Sequence, residues 1–394
     1  MLCLEGVAVL DLTRVLAGPY CSMMLGDMGA DIIKVEPPGI GDESRHFGPP
    51  FINGESSYFL SLNRNKRGIT LNLKSEEGCE VLRRLIARSD VLLENFRPGV
   101  LDRLGFSYEA VRAIRPDIVY CSISGFGLTG PMATRAAYDQ ILQGEGGIMS
   151  LTGPADGAPH KVGVPIADLT AGMLASYAVV SALFHRQRTG EGQRLDTSLL
   201  DGQISLLTFQ AGSYFATGRA PRRLGNRHPS IAPYETFPTA DGFINVAVGN
   251  DALWSKFCRT VGLEAYEQDP KFRTNADRVQ NRPELISLIE KHFRNESTAA
   301  LREMLDRGGV PCGVIATLDQ VFDSPQVQHL GLRQRVQHPK AGEINLTVPP
   351  YRMDRTQPLI RRVPPTLGEH TDEVLASLGY SGEQIANLHE SGAV

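Results

Sequence analysis

Residues 161–185 read KVGVPIADLTAGMLASYAVVSALFH, and in this segment one acidic residue, Asp168, precedes an almost wholly apolar run. No further charged side chain follows before the segment ends. A helix that is apolar on all sides is typically buried. The segment therefore predicts a core helix of a large domain, with Asp168 near its N-terminus. The free N–H groups and partial positive charge of a helix N-terminus would keep this carboxylate ionised.

Asp168 has two interpretations. A carboxylate that is charged and fixed in one place suits a nucleophile. Aspartate is also a favoured N-cap residue, and a capping aspartate needs no further purpose. Taken alone, the position favours the N-cap, so the rest of the chain has to decide between them.

Strand-like and helix-like segments alternate along the first two hundred residues. The apolar runs at 7–12, 30–35, 90–94 and 118–124 are typical of strands, and the segments between them include helical patterns, as at 77–88. This alternation predicts an α/β domain with a mainly parallel sheet and helices on both faces.

A different composition follows. Residues 201–233 contain clustered glycine, proline and arginine, which is typical of a linker. A second unit then begins, with a strand at 243–250 and a helix at 251–262 that holds the only tryptophan. We predict a smaller α+β domain at residues 234–322.

The bulk properties exclude several classes of protein. A net charge of −4 over 394 residues gives no sign of nucleic acid or anionic membrane as a partner. We expect no apolar run to be long enough to span a bilayer, and the N-terminus lacks a basic leader. The six cysteines form no CxxC pair and no metal-binding motif occurs, so we expect no metal and a cytoplasmic location.

Three local motifs stay open. The string GFGLTG at 125–130 has GxGxxG spacing, but it follows the fourth predicted strand and Pro131 comes next, which favours a turn over a dinucleotide site. The basic cluster NRNKR at 63–67 could bind phosphate or be a solvated loop. The segment ENFRPG at 94–99 could cradle a nucleotide at a strand end or form a simple turn.

Taken together, the chain resembles the class III CoA-transferase family (CaiB/BaiF), which includes carnitine, bile-acid and formyl-CoA transferases and α-methylacyl-CoA racemases. The resemblance runs nearly end to end and rests on these strings: VLDLTRVLAGPYCSMMLGDMGADIIKVEPPGIGDESR (9–45), NRNKRGITLNLK (63–74), ENFRPGVLDRLGF (94–106), YCSISGFGLTGP (120–131), VGVPIADLTAGMLA (162–175), GVPCGVI (309–315) and PTLGEHTDEVL (365–375).

The resemblance implies a Rossmann-like large domain built from residues 1–200 and from residues 323–394, which include a return linker. It also implies an interlocked homodimer. The implied activity is acyl-CoA:carboxylate CoA transfer, with Asp168 as the nucleophile that forms an aspartyl anhydride and then an aspartyl–CoA thioester. Coenzyme A and acyl-CoA are then substrates, and no permanently bound cofactor or metal is needed.

The family's CoA contacts carry over by position. Tyr138 matches a tyrosine beside the thioester. Pro37 stands where an arginine contacts CoA in relatives, so Arg97 is a candidate substitute. Leu16 and Phe47 replace a glutamine and a tryptophan of the formyl-CoA–oxalate enzymes, which argues against those substrates. The remaining implied CoA-binding positions, together with Leu16, are Ala17, Leu71, Lys74, Asn95, Phe96 and Arg103.

Two other activities remain alternatives. A racemase needs a histidine where this chain has Tyr138, and a tyrosine, with an ordinary pKa near 10, is a poor base at neutral pH. A non-catalytic CoA-binding protein would not need Asp168.

The segment HPSIAPYETFPTADGFINVAVGN (228–250) resembles the succinyl-CoA–glutarate branch of the family, whose substrates are short dicarboxylates. The second carboxylate of such a substrate needs a cation, and the loop candidates are Arg45, His46, Arg227 and His228.

Overall fold

A computed structural model describes residues 1–394. The chain divides into two compact units. The larger comprises Met1–Ile148, Lys161–Gly218 and Pro325–Val394, and the smaller comprises Met149–His160 and Arg219–Ser324.

The strands, in chain order, are β1 (Ala8–Asp11), β2 (Asp31–Glu36), β3 (Phe51–Ile52), β4 (Glu55–Ser56), β5 (Lys66–Thr70), β6 (Val91–Glu94), β7 (Val119–Ser124), β8 (Arg194–Ser198), β9 (Tyr234–Pro238), β10 (Phe243–Ala247), β11 (Cys312–Val314), β12 (Arg333–His338) and β13 (Gly342–Thr347).

The α-helices are α1 (Ala17–Asp27), α2 (Ser57–Leu62), α3 (Glu76–Ala87), α4 (Val100–Arg103), α5 (Tyr108–Ile114), α6 (Asp139–Glu145), α7 (Ile148–Leu151), α8 (Ile166–Thr189), α9 (Leu199–Leu206), α10 (Thr208–Thr217), α11 (Asp251–Val261), α12 (Asn275–Gln280), α13 (Arg282–Phe293), α14 (Thr298–Arg307), α15 (Leu318–Asp323), α16 (Pro325–His329), α17 (Thr371–Ser377) and α18 (Gly382–Glu390). Short 3-10 helices cover Glu43–His46 and Glu264–Tyr266.

A six-stranded parallel sheet organises the larger unit, in the order β5-β2-β1-β6-β7-β8. Numbered along the chain, these six strands run 3-2-1-4-5-6, the order of a doubly wound Rossmann sheet. The prediction of an α/β fold with a mainly parallel sheet is confirmed. In this order the direction of winding reverses between β1 and β6, and ligands bind beyond the carboxyl ends of the strands at such a switch point.

Each face of this sheet has its own core. Because strand side chains alternate between faces, Leu10 and Leu92 pack on one side with the helices α3 and α5. Val9 and Val91 pack on the opposite side, where α1 and α8 contribute small residues. Helices therefore cover both faces, which leaves the strand ends as the accessible edge.

The helix α8 differs from its sequence expectation. Ala167, Ala171, Ala175 and Val179 are buried, but the opposite side, which includes Tyr177 at 74% exposure, is open in the single chain. The helix is also long and apolar enough to cross a membrane, contrary to our expectation that no segment would be. Half of that apolar window is buried inside the protein, and core helices of globular domains pass the same test.

The smaller unit contains the antiparallel sheet β11-β10-β9. The helices α11, α13 and α14 pack around an aromatic core that includes Trp254, Phe257 and Phe293. The expected linker at 201–233 is wrong in its first half, because residues 201–206 and 208–217 lie in the helices α9 and α10. Glycine and proline occur mostly after Gly218, and the apolar side chains before it favour helix.

Candidate active site

A cavity of about 480 Å³ lies at the carboxyl edge of the parallel sheet, beside the switch point. Its walls are segments that directly follow strand ends. They come after β1, β6, β7 and β8, and their cavity-lining members include Leu16, Ala17, Asn95, Phe96, Gly125 and Leu199. Asp168, from the first turn of α8, completes the wall together with Tyr138.

Asp168 is the third residue of α8 and does not cap the helix. Another acid caps it, because Asp139 Oδ1 accepts the Ala167 N–H at 2.8 Å. The second oxygen of Asp139 accepts Gln143 Nε2 at 2.7 Å, which fixes the capping carboxylate. The Asp168 carboxylate makes no hydrogen bond within the chain. The N-cap interpretation of Asp168 is therefore wrong, and its oxygens face the cavity unpartnered.

The environment of Asp168 favours its protonated form. Burial, and secondarily the nearby charge of Asp139, raise the pKa of Asp168 to about 7 from an ordinary 3.8. The sequence predicts instead that the helix N-terminus keeps this carboxylate ionised. The pKa rises because burial removes water from the carboxylate and Asp139 adds a like charge nearby, and no hydrogen-bond donor of the chain compensates for them.

A close helix contact sets where Asp168 stands. Gly172, one turn after Asp168, packs against the start of α1, and a Cβ atom added there would lie 2.6 Å from the Ala17 carbonyl oxygen. Only glycine lets the two backbones approach this closely. The contact holds the first turn of α8 beside the loop that precedes α1.

A second cavity, of about 340 Å³, lies along the same edge and is lined by segments that follow β2 and β5. Its walls include Pro37, Leu71, Lys74 and Arg103. The two cavities share Arg14, Phe96 and Val100 as lining residues. The two cavities therefore adjoin, with Asp168 in the wall of the first and Lys74 in the wall of the second.

The structure brings together every position that the resemblance implied for CoA. The Asp168 cavity holds Leu16, Ala17, Asn95, Phe96, Arg97 and Tyr138, and the second cavity holds Leu71, Lys74 and Arg103. Their roles toward CoA stay predictions. The turn interpretation of GFGLTG agrees with the positive φ angles of Gly127 and Gly130, and Gly125 lines the Asp168 cavity.

The four loop cations that we expected to bind the second carboxylate of the substrate lie in different places. Arg45 is buried, forms two 2.7 Å hydrogen bonds to Glu36, and lines neither cavity. His46 also lies outside both cavities, with Nε2 2.9 Å from the Ile40 carbonyl oxygen. Neither is retained as a candidate. Arg227 and His228 belong to the smaller unit, and their role stays a prediction.

The basic cluster at 63–67 is neither a phosphate site nor a solvated loop. Arg64 pairs with Asp27 at 2.6 Å, and Lys66 is fully buried 3.3 Å from Asp11. Local sequence could not reveal this, because the two acidic partners lie more than thirty residues away along the chain.

Two arginines of the Asp168 cavity escaped our sequence reasoning. Arg14 lies 3.2 Å from Glu43 and over the ring of Phe96, 5.2 Å from its centre. Arg135 pairs with Glu145 at 2.7 Å and also lines the cavity. A signal was available, because both follow predicted strands of a parallel sheet, where ligands bind.

Comparisons with known proteins agree on one family. A family model described as CoA-transferase family III matches residues 4–371. A succinyl-CoA:glutarate CoA-transferase of Mus musculus is 43% identical over 99% of this chain and 90% of its own length. A succinate–glutarate CoA-transferase of Agrobacterium fabrum is 43% identical over 95% of both chains. The crystal structure of a CAIB/BAIF family protein from Brucella suis superposes with a TM-score of 0.87 at 42% identity, over 96% of this chain and 99% of that one.

Proposed function

This chain belongs to CoA-transferase family III, and from that premise we propose that it moves CoA from succinyl-CoA to glutarate or a similar short dicarboxylate. The similarity to succinyl-CoA:glutarate and succinate–glutarate enzymes over nearly the whole chain supports these substrates. The observation that carries the mechanism is the unpartnered Asp168 carboxylate, which opens into a cavity with the implied CoA positions.

The proposed reaction begins when an ionised Asp168 oxygen attacks the thioester carbonyl. The carbon–sulfur bond breaks, giving an aspartyl–acyl anhydride and the CoA thiolate. The thiolate then attacks the aspartyl carbonyl, which releases the donor acid as its carboxylate and leaves Asp168 as a CoA thioester. The acceptor carboxylate repeats both steps in reverse. Each step exchanges one acyl bond for another, so no proton, electron or co-reactant is left over.

The cavity suits this chemistry for two physical reasons. A partly dehydrated carboxylate without hydrogen bonds is a stronger nucleophile than a solvated one, and a water-poor site protects the anhydride from hydrolysis. The cavity also holds Asp168 beside the binding groups, so that the reacting atoms need no diffusional encounter.

The second carboxylate of a dicarboxylic acid needs a cation, and the cavity supplies Arg14, Arg97 and Arg135. Arg135 is the one we favour. Arg14 also lines the second cavity, where the distant part of CoA is expected, and Arg97 is the proposed substitute for the missing phosphate contact.

A homodimer also belongs to this proposal. Large apolar side chains remain exposed on α8, α9 and α10, among them Tyr177 (74%), Phe184 (60%), Ile204 (54%) and Phe215 (79%). Exposed apolar surface of this extent is typical of an interaction site. The interlocked arrangement and a cytoplasmic location rest on the family resemblance. Light scattering of the purified chain tests the dimer, and a monomer would contradict it.

Trapping the acyl-enzyme tests the mechanism. Incubation with succinyl-CoA and hydroxylamine should give a hydroxamate on Asp168, identified by peptide mass spectrometry. Asp168→Ala should still bind CoA but transfer nothing to glutarate. A racemase would instead exchange the α-proton of an acyl-CoA for deuterium without an acceptor acid, and a mere binding protein would give neither product. Normal transfer by Asp168→Ala would refute the mechanism.

A further inference from the structure

The loop between β1 and α1 borders both cavities and holds a strained residue. Arg14 lines both, and Val15 and Leu16 line the Asp168 cavity. Val15 has a φ of 67°, in the left-handed region that β-branched residues almost never adopt. Such a conformation persists only where the surrounding structure imposes it.

Buried charges hold the loop from one side. Asp42 accepts the Val15 N–H with both carboxylate oxygens, at 3.1 and 3.2 Å. Lys34 donates to Asp42 Oδ2 at 2.8 Å and to the Thr13 carbonyl oxygen, also at 2.8 Å. The Lys34 and Asp42 side chains are both 0% exposed. A fully buried ion pair thus binds the backbone on both sides of Arg14.

An amide holds the same loop from the other side. Asn95 Oδ1 accepts the Arg14 N–H at 2.9 Å, and Asn95 Nδ2 donates to the Arg14 carbonyl oxygen at 2.8 Å. One side chain therefore binds both polar groups of the residue that directly precedes Val15. Asn95 is also the first residue after β6, so it joins the two strands that flank the switch point.

We propose that Asp42, Lys34 and Asn95 form a clamp that holds residues 13–16 in the strained conformation that shapes the CoA cavity. In this proposal Asn95 is a positioning residue that acts on CoA through the Arg14–Val15 backbone, and not by its own contact with the ligand. The inference rests on the proposed function, because it takes CoA as the ligand of the cavity.

Coupling between Asn95 and Val15 tests the clamp. CoA itself is titrated calorimetrically into the full-length wild type, Asn95→Ala, Val15→Gly and the double variant. We expect Asn95→Ala to weaken CoA binding about tenfold, because the released loop relaxes away from the strained geometry. Glycine adopts a positive φ without steric cost. In the Val15→Gly background, the same Asn95→Ala change should therefore weaken CoA binding only about two- to threefold.

Two further variants make the test specific. Asn281→Ala removes an amide that likewise binds backbone carbonyls, but in the smaller unit, and CoA affinity should stay unchanged. Asp42→Asn tests the charged side of the clamp independently, and its loss of affinity should also shrink in the Val15→Gly background.

If Asn95 contacts CoA directly, Asn95→Ala should lower the CoA affinity equally in the wild type and in Val15→Gly, and that result would overturn the proposal. An unchanged CoA affinity in both would overturn it as well. The calorimetric readout separates this inference from the proposed function. If the wild type binds CoA but transfers none from succinyl-CoA to glutarate, the proposed function fails and the titrations still decide on the clamp.

Discussion

Replacing Asp168 by asparagine should stabilise the folded chain at alkaline pH while it abolishes transfer. At pH 8 the wild type holds an ionised carboxylate in a place that raises its pKa to about 7 from an ordinary 3.8. At about 1.4 kcal/mol per pKa unit, this difference corresponds to about 4 kcal/mol. The figure is an upper limit because the cavity is open to water, which screens the charges, so we expect a gain of roughly 1–3 kcal/mol.

The sign of the effect defines a pH window. The folded chain holds the Asp168 proton more tightly than the unfolded chain, so this group lowers stability as the pH rises from about 4 to about 7. The advantage of Asp168→Asn should grow over the same window and then stay constant. Below about pH 4 the carboxylate is protonated in both states, and the advantage should vanish.

Guanidinium denaturation of both proteins at several pH values between 4 and 8 measures this difference. Asp354→Asn, which neutralises an exposed carboxylate of the same unit, is the control and should give no such pH-dependent gain. An Asp168→Asn protein that is no more stable at pH 8 than the wild type, or equally stabilised at every pH, would refute the reasoning. The same titration predicts that wild-type kcat/KM rises about tenfold from pH 6 to pH 8.

Further predictions concern specificity and helix packing. Arg135→Gln should raise the KM for glutarate about tenfold or more with little change in the affinity for CoA itself, because a charge-assisted contact to the second carboxylate is lost and CoA has no such carboxylate. Arg83→Gln, in α3, is the control, and an equal loss of CoA affinity would count against this role. Gly172→Ala should destabilise the chain by about 1–3 kcal/mol and lower kcat, because its Cβ would meet the Ala17 carbonyl oxygen. Gly212→Ala, in α10, has open space at that position and should be neutral or stabilising in the same thermal melts.

Local patterns predicted the parallel sheet well. The apolar runs at 7–12 and 90–94 contain β1 and β6, and the segments that follow them line the cavities. The prediction succeeds because a few consecutive residues determine both the apolar pattern of a strand and the side chains that follow it. Asp168 was found for the same reason, since it stands out against a long apolar segment.

Pairing between distant charges could not be predicted in the same way. Arg45 looked like a free loop cation, but Glu36 and the ring of Phe59 occupy its guanidinium. The capping of α8 by Asp139 depends on a residue 28 positions before the N–H that it accepts. Such contacts depend on how the helices and strands pack in three dimensions, and no local pattern in a single sequence indicates them.

Asp139 accepts the Ala167 N–H in the first turn of α8, so Asp168 is not needed to cap that helix. In the proposed mechanism an acyl group or a thioester is attached to Asp168 and removed again, and neither change takes a hydrogen bond from the helix that carries it. A capping aspartate that was also the nucleophile would lose its cap in every catalytic cycle. Under the proposed mechanism, Asp139 therefore keeps the helix end fixed while Asp168 changes its covalent state.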